Sequence, residues 1–424
     1  MDKRSVIQPA VVPVDPGTIP DAKRIRLQNG IPVFLIEAGT EDISRIEFIF
    51  SAGSIKENHP LIASTANMML AEGTKKYTAA KLNKALDFYG TFYNLFAEKD
   101  KAGIVVFCMN KYLEKILCLA SELLFHPAFP TAELKTVMKK RLSWYLVNRE
   151  KVHSLAMDQF FESIFGNNHP YGWKILTDDF KRIEAEALMD FHSRYYTPGN
   201  LAIIVAGKIN ERTIDLLNLY FGFTKSTETK PLGSEKLPEL QLKNKIHIDK
   251  QGAVQTAIVI GSATINKRHP DYPGLKILNV LLGGYFGSRL MKNIREDKGY
   301  TYGINSSVHS LDLIGYQIIS AEVSKKNTRN AVEEILKEIR LLQSVPAEKK
   351  ELAIIRNYML GDMVRMFDGP FAIAESFKSV WEFGLDNSYY YRLADKIKSI
   401  DPDEITQLAR TYYNIDELFE ITAG

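Results

Sequence analysis

Tyr195-Tyr196-Thr197-Pro198-Gly199-Asn200-Leu201 leads into an apolar run that closes at Gly207, and its skeleton returns 217 residues later. Tyr412-Tyr413, Leu418 and Gly424 repeat Tyr195-Tyr196, Leu201 and Gly207 with the same internal spacing. Working outward, Ile183 before the first Tyr pair answers to Ile400 before the second. Pro130 and Pro346 each open a long helical stretch, and His59-Pro60 and His269-Pro270 each precede an apolar one. A period near half the chain is far longer than a solenoid unit of about 20–50 residues. It describes a duplicated domain: two homologous lobes in a clam-like arrangement, with a cleft suited to enclosing a ligand.

Within each lobe the same order of elements can be read. In the first, Val33–Ile36 is strand-like, and Ile46, Phe48 and Phe50 alternate with Arg45 and Glu47. Helices follow near 60–71 and 78–89, then a hairpin of Gly90–Ala97 and Gly103–Met109. Long helices cover 111–125, 131–149, 152–165 and 183–195 before the closing strand Leu201–Ala206. The second lobe repeats this with a strand at Val254–Ile260, helices at 270–282 and 287–296, and a hairpin of Tyr302–His309 and Tyr316–Val323. Val332, Ile335, Leu336 and Ile339 give a helix at 328–341 one buried stripe. The expected class is α+β, each lobe a mainly antiparallel sheet packed with helices. Residues 1–20 read as an extended Pro-rich arm, 21–223 as the first lobe, 224–240 as a Thr/Ser/Lys/Glu/Pro linker, and 241–424 as the second lobe.

Composition narrows the function. With 45% apolar and 25% charged residues the chain is an ordinary globular one, and a net charge of +3 without long basic runs argues against nucleic acid or membrane as partner. Lys139-Lys140-Arg141, the densest basic cluster, reads as a solvated helix face. Cys108 and Cys118 form no CxxC pair and read as buried small hydrophobes in a reducing compartment. Lys3 and Arg4 are followed by no sustained apolar run, so no signal peptide is read and a cytoplasmic location is expected.

A zinc hydrolase places two imidazoles on one helical face with a carboxylate beside the bound water. The closest histidines, His153 and His169, are 16 residues apart, so one helix cannot supply that pair. No GxSxG elbow is present. Gly283-Gly284-Tyr285-Phe286-Gly287 fits neither GxGxxG nor the P-loop pattern and reads as a tight turn between helices.

The stretch Leu282-Gly283-Gly284-Tyr285-Phe286-Gly287-Ser288-Arg289-Leu290, with Ile294-Arg295-Glu296 and Gly299-Tyr300-Thr301-Tyr302, resembles the pitrilysin/insulinase-type (inverted zincin) peptidases. In the first lobe Gly53-Ser54, Gly73-Thr74, Phe165-Gly166, His169-Pro170-Tyr171-Gly172 and Tyr195–Leu201 agree in order and spacing, so the resemblance spans essentially the whole chain. It implies a place for His-x-x-Glu-His counted back from Gly73-Thr74, and there the chain has Ser64, Asn67 and Met68. The distal glutamate ligand of the family falls near Ser143-Trp144, neither an acid. The implied site thus has no metal ligands, and this chain is expected to hold no cofactor.

The same resemblance implies that Arg295 and Tyr302, seven residues apart, correspond to the family's pair that holds a substrate carbonyl and donates to the developing oxyanion. A guanidinium and a phenol suit those tasks. The implied function is a non-metal-binding subunit of a heteromeric zinc peptidase, inactive alone. Its partner would be a homologous subunit carrying His-x-x-Glu-His and the zinc. The pair would close on an unfolded peptide, which adds a strand to a sheet edge. The isolated chain could pair with itself as a homodimer. The alternative is a catalytically silent structural or peptide-binding scaffold of the same fold. Plainer roles stand beside these: Arg295 and Arg289 as helix salt bridges, Tyr302 as a strand aromatic covering a sheet face, Trp144 as packing, Ser64, Asn67 and Met68 as inert helix residues, and 169–172 as a structural loop.

Overall fold

The computed structural model describes residues 17–222, 236–239 and 245–424. Of the arm and linker, residues 1–16, 224–235 and 240 lie outside the described residues. The strands are β1 (Lys23–Arg26), β2 (Pro32–Glu37), β3 (Ile43–Phe50), β4 (Phe92–Ala97), β5 (Ala102–Met109) and β6 (Leu201–Gly207) in the first lobe. The second has β7 (Lys245–Ile248), β8 (Gln255–Thr264), β9 (Thr301–Ser310), β10 (Gly315–Ser324) and β11 (Phe419–Ala423). The first sheet has the order β1-β2-β6-β3-β5-β4 and the second β7-β11-β8-β10-β9, so the repeat holds strand for strand with β1 added at one edge. Only β2–β6 and β7–β11 run parallel, and both lobes are α+β.

The duplicated residues explain themselves. Tyr196 and Tyr413 are both buried, and each phenol meets a helix asparagine: Asn67 Nδ2 at 3.0 Å from Tyr196, and Tyr413 donating to Asn279 Oδ1 at 3.2 Å. Gly207, at φ +126°, packs so closely that a Cβ would lie 2.3 Å from the Ile43 carbonyl. At Gly424 a Cβ would meet Thr256 Oγ1 at 2.4 Å, so both repeat ends need glycine.

Side chains alternate across each sheet. Val33, Leu35, Ile46, Phe48, Ile203 and Val205 face a core completed by the first lobe's own helices. On the opposite face Phe34, Ile36, Ile49 and Ile204 are covered by Ile373, Ala374 and Phe377 of the 370–381 helix, which comes from the second lobe. The exchange is mutual. Ala156, Phe160 and Ile164 of the first lobe's 152–165 helix cover Ala257, Val259, Ile318 and Ile421 of the second sheet. Each sheet therefore has one face covered by a helix from the other lobe.

Arg45 and Glu47, which alternation assigns to a wet face, are buried beneath the 370–381 helix. Arg45 Nη2 bonds Glu47 Oε2 at 2.7 Å and also Glu375, while Lys378 Nζ reaches Glu47 Oε1 at 2.6 Å. Burial works against the Lys378 charge, but Glu47 and Glu382 outweigh it and raise its pKa.

Three elements carry no strong pattern and are found only in the structure: β1, β7 and the 211–217 helix. In β1 only Ile25 turns toward the core. Ile19 is buried against the second lobe, its N–H bonded to Tyr391 Oη at 2.9 Å. Cys108 is buried and burial pushes its thiol up to about 12, whereas Cys118 is exposed, against expectation, on the open side of its helix. No helix among the described residues is long and apolar enough to cross a membrane.

Candidate functional site

The 62–69 helix carries the three positions at which the resemblance puts metal chemistry, and each points somewhere different. Ser64 Oγ accepts from Arg141 Nη2 at 2.8 Å. Asn67, 1% exposed, donates to the Gly103 carbonyl and to Tyr196 Oη, both at 3.0 Å. Met68 is 43% exposed and offers only a thioether. A hydroxyl, a core amide and a thioether do not make a zinc site, which takes imidazole, thiolate or carboxylate donors. Among the described residues no three His, Cys, Asp or Glu side chains gather as a metal set would.

Nor are Ser64 and Asn67 inert. Asn279 of the second lobe has a comparable place, accepting from Tyr413 and donating to the Ser306 carbonyl. Each asparagine therefore ties its helix to a strand and a buried tyrosine. Arg141, read in sequence as solvated, turns inward while Lys139 and Lys140 stay exposed. Trp144 is 71% exposed, so it does not pack.

Beside this helix lies Glu57, whose Oε2 accepts the Ala63 N–H at 2.7 Å. Burial pushes its carboxyl up to about 7, opposed by the Ala63 and Leu61 amides, Lys99 and Arg141. Burial likewise brings Lys99 down to about 8 and pushes Glu382 up to about 7. Between the ordinary carboxyl value of 4.5 and about 7 the folded chain keeps protons that the unfolded chain has released. Stability therefore falls as pH rises through that window. The expected loss is roughly 2–3 kcal/mol per carboxyl. Urea denaturation of wild type and Glu57→Gln between pH 5 and 8 checks it: the variant, which keeps the helix-capping oxygen, should lose the Glu57 share of the fall.

The second-lobe pair sits elsewhere in the chain. A depression of about 590 Å³ is lined by Tyr302, Phe286, Tyr285, His153, Gln255 and Glu322 among others, and by none of Ser64, Asn67 or Met68. Gly283 lets the turn below it press on β9, since a Cβ there would lie 2.6 Å from Ser306 Cβ. The register between β9 and β10 slips between Ala321 and Val323, so Tyr302 and Gly303 share one opposing residue, Glu322. A bulge bends its strand and re-aims a side chain. Tyr302 is accordingly swung out, 93% exposed, and does not cover a sheet face.

Arg295 lies on a wide helical turn, Met291–Asp297, of a kind often found at functional sites. Its guanidinium stacks 4.6 Å from the Phe286 ring centre and, among the described residues, makes no ion pair. The salt-bridge role falls instead to Arg289, held by both oxygens of Glu351 at 3.0 and 2.8 Å. Tyr302 and Phe286 line the same depression, and among the described residues neither the Arg295 guanidinium nor the Tyr302 hydroxyl is given to a partner. Beside them β9 is an edge strand, hydrogen-bonded to β10 alone. His153, Gln255 and Glu322 were not singled out in sequence; His153 arrives on the exchanged 152–165 helix, which no local pattern reveals.

Comparison with known proteins shows the family and the fold. Residues 33–178 match the family described as "Insulinase (Peptidase family M16)", and residues 182–359 match "Peptidase M16 inactive domain". The "Uncharacterized zinc protease YmxG" of Bacillus subtilis is 25% identical over 81% of this chain and 83% of its own length. The "Probable inactive metalloprotease YmfF" of the same organism is 24% identical over 72% and 76%. In fold, the crystal structure of a peptidase M16 inactive domain from Pseudomonas fluorescens superposes with a TM-score of 0.86 at 21% identity, covering 95% of this chain and 98% of that one. The chain belongs to the insulinase-type, or M16, peptidase family, as a member without the zinc-binding motif.

Proposed function

We propose that this chain is the non-metal-binding subunit of a two-chain zinc endopeptidase, supplying Arg295, Tyr302 and half of the peptide chamber. The observation that carries the reading is the pair at the open edge of β9: a guanidinium with no counter-ion among the described residues and a phenol turned outward by a bulge. Both are hydrogen-bond donors suited to a peptide carbonyl and its developing negative charge. The free β9 edge offers backbone groups to an extended peptide, which gives affinity with little demand on sequence. Zinc belongs to the partner, a homologous chain bearing His-x-x-Glu-His, because Ser64, Asn67 and Met68 offer no suitable donors.

The test is reconstitution. The purified chain is mixed with such a partner and zinc, and cleavage of a quenched fluorogenic peptide is followed. Each chain alone should give background turnover and the mixture sustained turnover. A partner as active alone as in the mixture would remove the reading and leave the silent scaffold.

A further inference from the structure

We propose that the Arg141 guanidinium has taken over the task of a metal ion in the first lobe, tying the 62–69 helix to the 131–149 helix and excluding divalent metal. The inference goes beyond the partner-subunit reading and stands whether or not Arg295 and Tyr302 assist catalysis. The two helices that carry the metal-motif positions, Ser64 and Met68 on one and the Ser143-Trp144 region on the other, are the two that Arg141 bridges.

The contacts are directional. Arg141 Nη2 donates to Ser64 Oγ at 2.8 Å and Nη1 donates to Thr65 Oγ1. Thr65 spends its own proton on the Leu61 carbonyl at 2.6 Å, and Ser64 points its proton to the same carbonyl at 3.3 Å. Both hydroxyls are thus left presenting lone pairs, which suits a cation. Glu57, on the segment leading into the helix, faces Arg141 as its opposite charge, and Lys99 is the other cation nearby. Burial weakens Arg141's hold on its proton, but a guanidinium stays charged throughout the working pH range. A dication brought to the same helix pair would meet that fixed positive charge in a partly dry site, where repulsion is poorly screened.

Restoring the ligands alone should therefore fail to restore metal binding. Two full-length variants are compared by zinc titration against a competing chelator, with circular dichroism checking the fold. One carries Ser64→His, Met68→His and Trp144→Glu; the other adds Arg141→Ala. Asn67 is kept in both because its core bonds are structural. The variant retaining Arg141 is expected to bind zinc at least about 100-fold more weakly than the one lacking it. Equal affinities would overturn the exclusion. In the native background, Arg141→Ala should lower Tm by about 4 °C or more, since the tie between the helices is lost. An unchanged Tm would overturn the cross-link, and this measurement decides the matter if the rebuilt chains do not fold.

Discussion

In the proposed two-chain enzyme, Arg295→Ala combined with Tyr302→Phe should lower kcat by about 10²–10³, while the subunits still assemble. The magnitude follows from where the two groups act. Removing one donor aimed at developing negative charge costs about 3–4 kcal/mol of transition-state stabilisation, and groups acting as a unit do not add. Tyr302→Phe alone should fall mainly on kcat, since the phenol proton matters most once the oxyanion forms. Arg295→Ala should also raise KM, because a guanidinium holds the carbonyl before reaction begins. Arg289→Ala is the informative contrast: Arg289 is committed to Glu351, so its loss affects the local fold rather than the reacting centre. Full activity in the double variant would end the assisting role and leave the scaffold reading in place.

The second large effect concerns the seam between the lobes. Glu47→Ala strands Arg45 and Lys378 without their shared buried partner, and should destabilise the chain by about 3–5 kcal/mol in urea denaturation. The Arg45 guanidinium has nowhere to go: its side chain is enclosed by β3, β5 and the 370–381 helix, and only Glu375, largely in water, remains to it. Replacing Arg45, Glu47 and Lys378 together by Met, Leu and Met should be nearly neutral or stabilising, because desolvating paired charges offsets most of what their attraction gains. If the single and triple replacements destabilise equally, the loss comes from packing and not from unpaired charge.

The duplication was legible because it rests on residues with unforgiving geometry: the Tyr196 and Tyr413 clamps and the glycines at 207 and 424 leave little freedom of substitution. Most strands and helices followed from periodicity. What failed to show was everything that depends on a distant partner. Arg45 and Glu47 read as a solvent face because nothing nearby says that a helix some 330 residues away will cover them. Arg141 looked like one more member of a basic cluster, since its turn inward depends on two hydroxyls on another helix. Trp144 was assigned to packing by residue type, and its exposure contradicts that. Tyr302 owes its exposure to a register slip that no propensity encodes. For the candidate site, the pair is named by resemblance, while donors with no partner among the described residues are seen only in the structure.

The traded helices say something about origins. The 152–165 helix and the 370–381 helix lie at matching places in the two halves, and each covers the other half's sheet. Identical elements swapped in both directions are what a homodimer of single-lobe ancestors would possess, and gene fusion would then record that symmetry within one polypeptide. Each half now relies on the other to cover its sheet, so a nick in the joining segment should leave two fragments that stay together until denatured.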